Sequence, residues 1–143
     1  MPQKNKNEDG LKRTINDVEI TDPLVLECGE TLTKHEIIYE TYGELNESRS
    51  NAVLICHALS GNHHAAGLNE DGVSGWWDNY IGPGKSIDTN LFHVISITNI
   101  GSCFGSTGPA TINKATGKFW GANFPALEVS DWVKSQKMLM DVL

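Results

Sequence analysis

The pattern of apolar and polar positions divides the chain into a few short elements. Residues 24–28 and 35–42 are rich in β-branched and aromatic side chains, and residues 29–34 between them, which begin with Gly29, indicate a turn. These two segments are therefore predicted to form an antiparallel hairpin. Residues 1–20 are charged and carry only scattered apolar positions, which predicts a loose polar leader.

Two later segments have the composition of buried strands. Residues 52–56 are continuously apolar, and residues 92–98 contain Val94, Ile95 and Ile97. Apolar runs without polar alternation are typical of parallel strands that are covered on both faces. We therefore expect both segments to lie inside a parallel sheet.

The last segment has the periodicity of an amphipathic helix. Ser130 or Glu128 is predicted to cap its start, and Lys134 and Lys137 are predicted to lie on the solvated face. The apolar residues predicted to share the buried face are Val129, Trp132, Val133, Leu139, Met140 and Leu143.

The order of these elements is hairpin, strand, loop, strand, loop and helix, which predicts an α/β fold. A helix that follows a parallel strand normally returns the chain to a further parallel strand. The sequence stops at Leu143, on the predicted helix. We therefore expect residues 21–143 to be the amino-terminal portion of a domain whose sheet is incomplete.

Composition narrows the class of protein. The 143 residues include 11 Lys and Arg against 18 Asp and Glu, a net charge of −7 that argues against nucleic-acid binding. No apolar run is long enough to span a membrane, and the polar N-terminus lacks the apolar stretch of a secretory signal. Three cysteines are too few for a disulfide framework. These features predict a cytoplasmic protein without membrane partners.

The loop that follows the first buried strand begins Cys-His-Ala-Leu-Ser-Gly at residues 56–61. In open α/β sheets, ligands bind at the carboxyl ends of the strands. One interpretation is a turn whose backbone N–H groups face a developing oxyanion, with Gly61 permitting the tight path. The alternative is an ordinary exit from the strand, in which His57 has only a structural role.

Other groups of residues fit known sites less well. His57, His63 and His64, with Asp71 or Asp78, match no zinc-ligand spacing, so no metal is predicted.

The later glycine-rich loop offers two further alternatives. The loop 101–109 lacks the Lys of a nucleotide-binding phosphate loop. Cys103 in that loop is a candidate nucleophile without an identifiable base. The two Trp residues at 76 and 77 indicate either interior packing or the wall of a pocket.

Six segments of the chain form a pattern when their order and spacing are taken together. They are His57–Gly67, Gly75–Asp78, Ile81–Thr89, Gly105–Pro109, Ile112–Lys118 and Phe124–Pro125. This pattern resembles the homoserine O-acyltransferases of the α/β-hydrolase superfamily, and the resemblance extends from about Leu24 to Leu143.

The resemblance implies an α/β-hydrolase fold and an enzyme of methionine biosynthesis, which in this family is expected to be a homodimer. The expected reaction transfers an acetyl group from acetyl-CoA, a substrate rather than a bound cofactor, to the hydroxyl of homoserine. A Ser–His–Asp triad would carry it out, with the Ser in a G-x-S-x-G turn. That pattern is absent from the 143 residues. We therefore expect this chain to lack the triad and to be inactive alone.

The resemblance also suggests which residues contribute to the site. Leu59 is the predicted source of a backbone N–H for the oxyanion, and Ala58 is the second choice. Ser102 stands where the family leads us to expect glycine. The residues predicted to bind substrate or shape its pocket are His57, Ser60, Gly61, Trp76, Trp77, Asn99, Gly101, Cys103, Gly105 and Ser106.

Two alternatives to an acetyltransferase remain open from the sequence. The first is a related acyltransferase that uses serine as acceptor or succinyl-CoA as donor. The second is a stand-alone fragment that has no catalytic activity.

Overall fold

A five-stranded sheet is the main element of the fold. We describe a computed structural model of the chain, which covers residues 3–6 and 10–143. The strands of these residues are β1 (Gln3–Lys6), β2 (Lys12–Ile20), β3 (Leu24–Val25), β4 (Thr31–Leu32), β5 (His35–Tyr42), β6 (Ala52–Ile55), β7 (Ile81–Gly82), β8 (Ile87–Asp88), β9 (His93–Ile97), β10 (Ile112–Asn113) and β11 (Lys118–Phe119). The described residues also form one 3-10 turn, Gly121–Asn123, and one α-helix, α1 (Val129–Val142).

The strands of the main sheet lie in the order β1-β2-β5-β9-β6. β6 runs parallel to β9, with Leu54 opposite Ile95, whereas β5 is antiparallel to β9, with Tyr39 opposite Ile97. This arrangement confirms the predicted α/β class and the predicted parallel pair. Because β6 and β9 are parallel, their carboxyl ends lie at the same edge of the sheet.

The prediction that residues 52–56 are covered on both faces is wrong. Ala52 is exposed, Val53 and Leu54 are half-buried, and only Ile55 in β6 is buried. Among the described strands, β6 stands at the end of the sheet and has one neighbour, whereas β9 has two. The apolar run identified the strand correctly but did not indicate that it lies at an edge.

Residues 12–20 form β2 within the sheet, although the sequence predicted a loose leader there. The few apolar side chains in this region occupy buried positions, since Leu11 is inaccessible and Ile20 is 3% exposed. Residues 1, 2 and 7–9 of the predicted leader lie outside the described residues.

The predicted hairpin between residues 24–28 and 35–42 is also wrong. β3 instead pairs with β4, with Leu24 opposite Leu32. Two backbone hydrogen bonds close the turn early, from Gly29 N–H to Leu26 O and from Leu26 N–H to Glu30 O. The chain therefore reverses before it reaches β5, which joins the main sheet instead.

The chain divides into two compact units, each with its own buried residues. Unit 1 comprises the described part of residues 1–16 together with residues 39–97, and unit 2 comprises residues 17–38 and 98–143. The core of unit 1 is formed by Leu11, Tyr42, Ile55, Ala65, Ala66, Ile81 and Val94. The buried apolar residues of unit 2 include Ile20, Leu24, Leu26, Leu32, Ile37, Ile100 and Leu139.

α1 begins after Glu128, which confirms one of the two predicted caps, whereas Ser130 lies in the first turn. The predicted buried face is only partly correct. Leu139 is buried, but Val129 and Val133 are 67% and 58% exposed. Their place on the buried face is taken by polar side chains that have partners within unit 2.

Those buried polar side chains are Asp131 and Ser135. Asp131 accepts a backbone N–H from Glu27, and Ser135 Oγ lies 3.1 Å from Nε2 of His35. Lys137 is well exposed, in agreement with its predicted solvated face. Within the described residues there is no helix with the length and apolar character needed to cross a membrane.

Candidate active site

The segment that follows β6 forms a tight, exposed turn. Gly61 N–H donates to Ala58 O at 2.8 Å, so that Leu59 and Ser60 occupy the tip. The side chain of Leu59 is 85% exposed. The Leu59 N–H makes no hydrogen bond to any of the described residues. This amide is therefore free to donate to an external acceptor.

His57 braces this turn. Its Nδ1 lies 2.6 Å from Ala58 O, and because a carbonyl oxygen only accepts, Nδ1 carries the proton. A Cβ on Gly61 would lie 2.7 Å from the Cβ of His57, so a larger residue would displace the imidazole. His57 can therefore have a structural role in the same turn whose tight path Gly61 permits.

Trp76 and Trp77 form a second exposed group in unit 1. Their ring centroids are 5.2 Å apart, and the side chains are 38% and 41% exposed. Trp76 Nε1–H donates to Asn62 O at 3.0 Å. Gly75 packs against backbone, since a Cβ there would lie 2.2 Å from Ala66 N. The two indoles are thus fixed to the segment that follows the Ala58–Gly61 turn.

The other predicted site residues belong to unit 2. Ser106 is fully buried, and its Oγ donates to Thr98 O at 2.7 Å and accepts the N–H of Ile38 at 2.9 Å. Asn99 is also buried and accepts a hydrogen bond from Gln136 at 2.8 Å. These contacts order the loop after β9. A role of this loop in shaping a pocket stays a prediction.

The remaining residues of that loop differ in their surroundings. Gly101 N–H donates to Thr107 O at 2.7 Å, and Gly101 has a φ of +84°, which favours glycine. Gly105 likewise has a positive φ, and a Cβ there would lie 2.9 Å from the Ile38 side chain. Cys103 is exposed.

Two clefts lie away from the predicted residues. In unit 1, a cleft of about 130 Å³ is bordered by Lys12, Glu44 and Asn90, among others. In unit 2, one of about 610 Å³ is bordered by residues that include His35 and Lys114. None of the predicted site residues lines either cleft.

Sequence reasoning missed a buried polar cluster in unit 1, centred on Glu40. Glu40 is 1% exposed, and its Oε1 lies 3.9 Å from Nη1 of the equally buried Arg13. The Tyr42 hydroxyl donates to Glu40 Oε2. A charged residue among the apolar and aromatic positions of β5 is the sequence signal that would have indicated it.

The two adjacent histidines face this cluster. His64 Nδ1 lies 3.2 Å from Glu40 Oε2, and His63 Nε2 lies 4.0 Å from Glu40 Oε1. The hydrogen bond to Glu40 raises the pKa of His64, whereas burial lowers the pKa of His63. The residues that the structure describes contain no group of three or more side chains arranged to hold a metal ion.

Known proteins resemble this chain in both sequence and fold. The homoserine O-succinyltransferase of Cellvibrio japonicus (strain Ueda107) is 59% identical over 128 residues, which are 88% of this chain and 34% of that protein. The structure of homoserine O-acetyltransferase from Bacillus anthracis superposes with a TM-score of 0.80 at 38% identity, and the match covers 90% of this chain and 36% of that one. Esterase E22 superposes with a TM-score of 0.81 at 36% identity, covering 91% and 37% of the two chains. No family model matches the chain.

The chain spans about a third of the length of the curated relatives that it matches. Over that third, the high identity and the shared backbone confirm the resemblance that the sequence motifs indicated. Structural neighbours also confirm the fold as an incomplete part of an α/β-hydrolase. Over the length it spans, the chain is thus similar in sequence and fold to the homoserine O-acyltransferases of the α/β-hydrolase superfamily.

Proposed function

We propose that this chain forms part of an enzyme that transfers a succinyl group from succinyl-CoA to the hydroxyl of homoserine, in methionine biosynthesis. The observation that carries the proposal is the 59% identity, over 128 residues, with a protein named homoserine O-succinyltransferase. A second relative, from Hahella chejuensis, has the same name at 63% identity over 123 residues.

The sequence motifs alone favoured acetyl-CoA as the donor. The Bacillus anthracis structure, named a homoserine O-acetyltransferase, supports that alternative at 38% identity. We prefer succinyl-CoA because its support comes from relatives of about 60% identity. The acceptor, homoserine, is common to both names.

The contribution we propose for this chain is electrostatic. In the reaction implied by the family, a Ser from sequence outside these residues attacks the thioester carbonyl, and the CoA thiolate leaves. The homoserine hydroxyl then attacks the resulting ester and releases the Ser. Each step passes through a tetrahedral oxyanion, and we propose that the Leu59 N–H donates to it. The exposed turn and the unbonded amide support this assignment.

A chimera tests the proposal. The present chain would replace the matching third of the Cellvibrio japonicus enzyme, and thiol release would be measured with homoserine and either succinyl-CoA or acetyl-CoA. We expect turnover of roughly 1 s⁻¹ or more with succinyl-CoA. The 143 residues alone should show no turnover, because loss of a whole triad costs about 10⁶ in kcat. A folded chimera that acylates homoserine with neither donor would contradict the proposal.

A second chimera separates the donors. The same chain would replace the matching third of the Bacillus anthracis enzyme, and each chimera would be compared with its parent. If this segment favours succinyl-CoA, the Bacillus anthracis chimera should shift its donor ratio toward succinyl-CoA, whereas the Cellvibrio japonicus chimera should keep the ratio of its parent. A shift toward acetyl-CoA in the Cellvibrio japonicus chimera would support the acetyltransferase alternative. Serine would be tested as acceptor in parallel.

A further inference from the structure

The buried Glu40 cluster lies next to the segment 62–78, which carries the two exposed Trp residues. A carboxylate at 1% exposure is costly unless charges and hydrogen bonds compensate it. Arg13 supplies the opposite charge from β2 at 3.9 Å. Glu40 also receives hydrogen bonds from side chains that contact the segment 62–78. The hydrogen bonds that stabilise the Glu40 carboxylate therefore depend on the position of the segment 62–78.

The first connection passes through Tyr42. Its hydroxyl donates its proton to Glu40 Oε2 and accepts the backbone N–H groups of Ala65, at 2.8 Å, and Ala66, at 3.1 Å. Burial and the neighbouring carboxylate raise the pKa of Tyr42, so the hydroxyl stays a donor at neutral pH. One phenol oxygen thus links the carboxylate to two consecutive amides of the segment.

The second connection passes through His64. Its Nε2 lies 3.0 Å from Val73 O and must carry a proton, because a carbonyl only accepts. Its Nδ1 lies between Glu40 Oε2, at 3.2 Å, and Arg13 Nη1, at 3.4 Å. Protonated Nδ1 donates to Glu40, whereas neutral Nδ1 accepts from Arg13. The imidazole therefore joins the sheet to Val73 in either state, and its charge decides which partner it uses.

Hydrogen bonds to backbone atoms within the segment 62–78 connect it to Trp76 and Trp77. Trp77 N–H donates to Ala65 O at 2.8 Å, and Trp76 N–H donates to His64 O at 3.3 Å. His64 N–H in turn donates to Asn62 Oδ1 at 2.9 Å, and Asn62 O accepts the indole N–H of Trp76. His64 and Ala65, which are connected to Glu40, thus also bind the backbone of Trp76 and Trp77.

We infer that Glu40 is a positioning residue, which acts through Tyr42 and His64 to fix the segment 62–78 and so the placement of Trp76 and Trp77. The consequence for catalysis rests on the proposed function and on the role predicted for these indoles from the sequence, as a wall of the substrate pocket. Loss of the positioning would weaken substrate binding more than it slows the chemical step. Intact positioning would also couple substrate binding to the protonation of His64.

The charged groups around the histidines determine the pH at which this coupling changes. His64 faces Glu40 from β5 and Arg13 from β2, while His63 faces the same pair together with His64 and His57. The hydrogen bond between His64 and the carboxylate at 3.2 Å raises the pKa of His64 above the ordinary imidazole value of about 6.5. Removing the carboxylate should lower that midpoint.

The test uses Glu40→Gln, with Glu36→Gln as a control on the same strand, because the Glu36 side chain is 44% exposed and its carboxylate pairs with Lys114. In the Cellvibrio japonicus chimera, Glu40→Gln should raise KM for at least one substrate about tenfold and change kcat much less. The control should leave both unchanged. If Glu40→Gln fails to fold, Tyr42→Phe and His64→Gln test the same connections, because both keep the Arg13–Glu40 pair.

Two measurements on the 143-residue chain need no activity. Amide exchange should accelerate selectively within residues 62–78 in Glu40→Gln and Tyr42→Phe. The NMR titration midpoint of His64 should fall in Glu40→Gln. Uniform acceleration across the chain, or an unchanged midpoint together with an unchanged KM, would overturn the inference. An inactive but folded parent chimera would instead contradict the proposed function and leave the exchange result to decide the positioning role.

Discussion

The carboxylate of Asp131 accepts the backbone N–H of Glu27 at 3.0 Å, although the two residues are 104 positions apart in sequence. Its other oxygen accepts the N–H of Glu128 at 2.9 Å, at the start of α1. Asp131 is fully buried, and Lys134 lies 3.5 Å from it. One side chain therefore caps the helix and attaches it to the segment that follows β3.

Replacing Asp131 should destabilise unit 2. Asp131→Ala leaves two backbone donors without their charged acceptor, and we expect the free energy of unfolding to fall by about 2 kcal/mol or more. Asp141→Asn is the control, because Asp141 pairs with Lys137 on the exposed face of α1. It should change the free energy by less than about 0.5 kcal/mol. Urea denaturation of the two variants compares them directly, and equal effects would contradict the role of Asp131.

Periodicity and apolar runs were sufficient to locate the strands β5, β6 and β9 and the helix α1. They could not show which strands pair, because pairing depends on residues far apart in sequence. The apolar residues 24–28 suggested a partner for β5, yet the turn at Gly29 closes on β4 instead.

The buried polar residues were the harder part of the prediction. The buried carboxylates of Asp131 and Glu40 are satisfied partly by distant segments, through the N–H of Glu27 and the guanidinium of Arg13. No local pattern reveals those distant partners. Leu59 could be singled out from the sequence, because an apolar strand precedes it and the motif around it resembles a known family. The supporting contacts of the segment 62–78 had no comparable signal.

His35 should make stability depend on pH. It is 1% exposed, its Nδ1 has no hydrogen-bond partner among the described residues, and burial lowers its pKa from 6.5 to about 4. The unfolded chain therefore binds a proton between these values that the native state excludes. The contribution of His35 to the free energy of unfolding is therefore fully present above pH 6.5. It falls as the pH is lowered toward 4, by at most about 3 kcal/mol.

The measurement compares wild type with His35→Gln by urea denaturation at pH 7, 5 and 4. Both proteins lose stability in acid through their other titratable groups, so the difference between them isolates His35. We expect wild type to lose more stability than the variant over this range. Parallel curves would contradict the prediction.

Substitutions at Leu59 separate a backbone role from a side-chain role. In the Cellvibrio japonicus chimera, Leu59→Ala keeps the amide and should have little effect on kcat. Leu59→Pro removes the N–H and should lower kcat by about 10²-fold or more. Circular dichroism must first show that the Pro variant is folded. Small and equal effects of the two substitutions would exclude the oxyanion assignment.

β6 should promote self-association of the 143-residue chain. It ends the described sheet, and it pairs only with β9, so one side of its backbone has no strand partner among the described residues. An apolar edge of this kind can pair with another copy, and a Lys on such an edge prevents it. We therefore expect Ala52→Lys, at an exposed position of β6, to increase the monomer fraction in size-exclusion chromatography with light scattering. Val142→Lys adds the same charge at a 60% exposed position on α1 and serves as the control. A specific edge effect requires that Ala52→Lys raises the monomer fraction and that Val142→Lys does not. An equal rise in both variants would show that net charge, and not the strand edge, controls association.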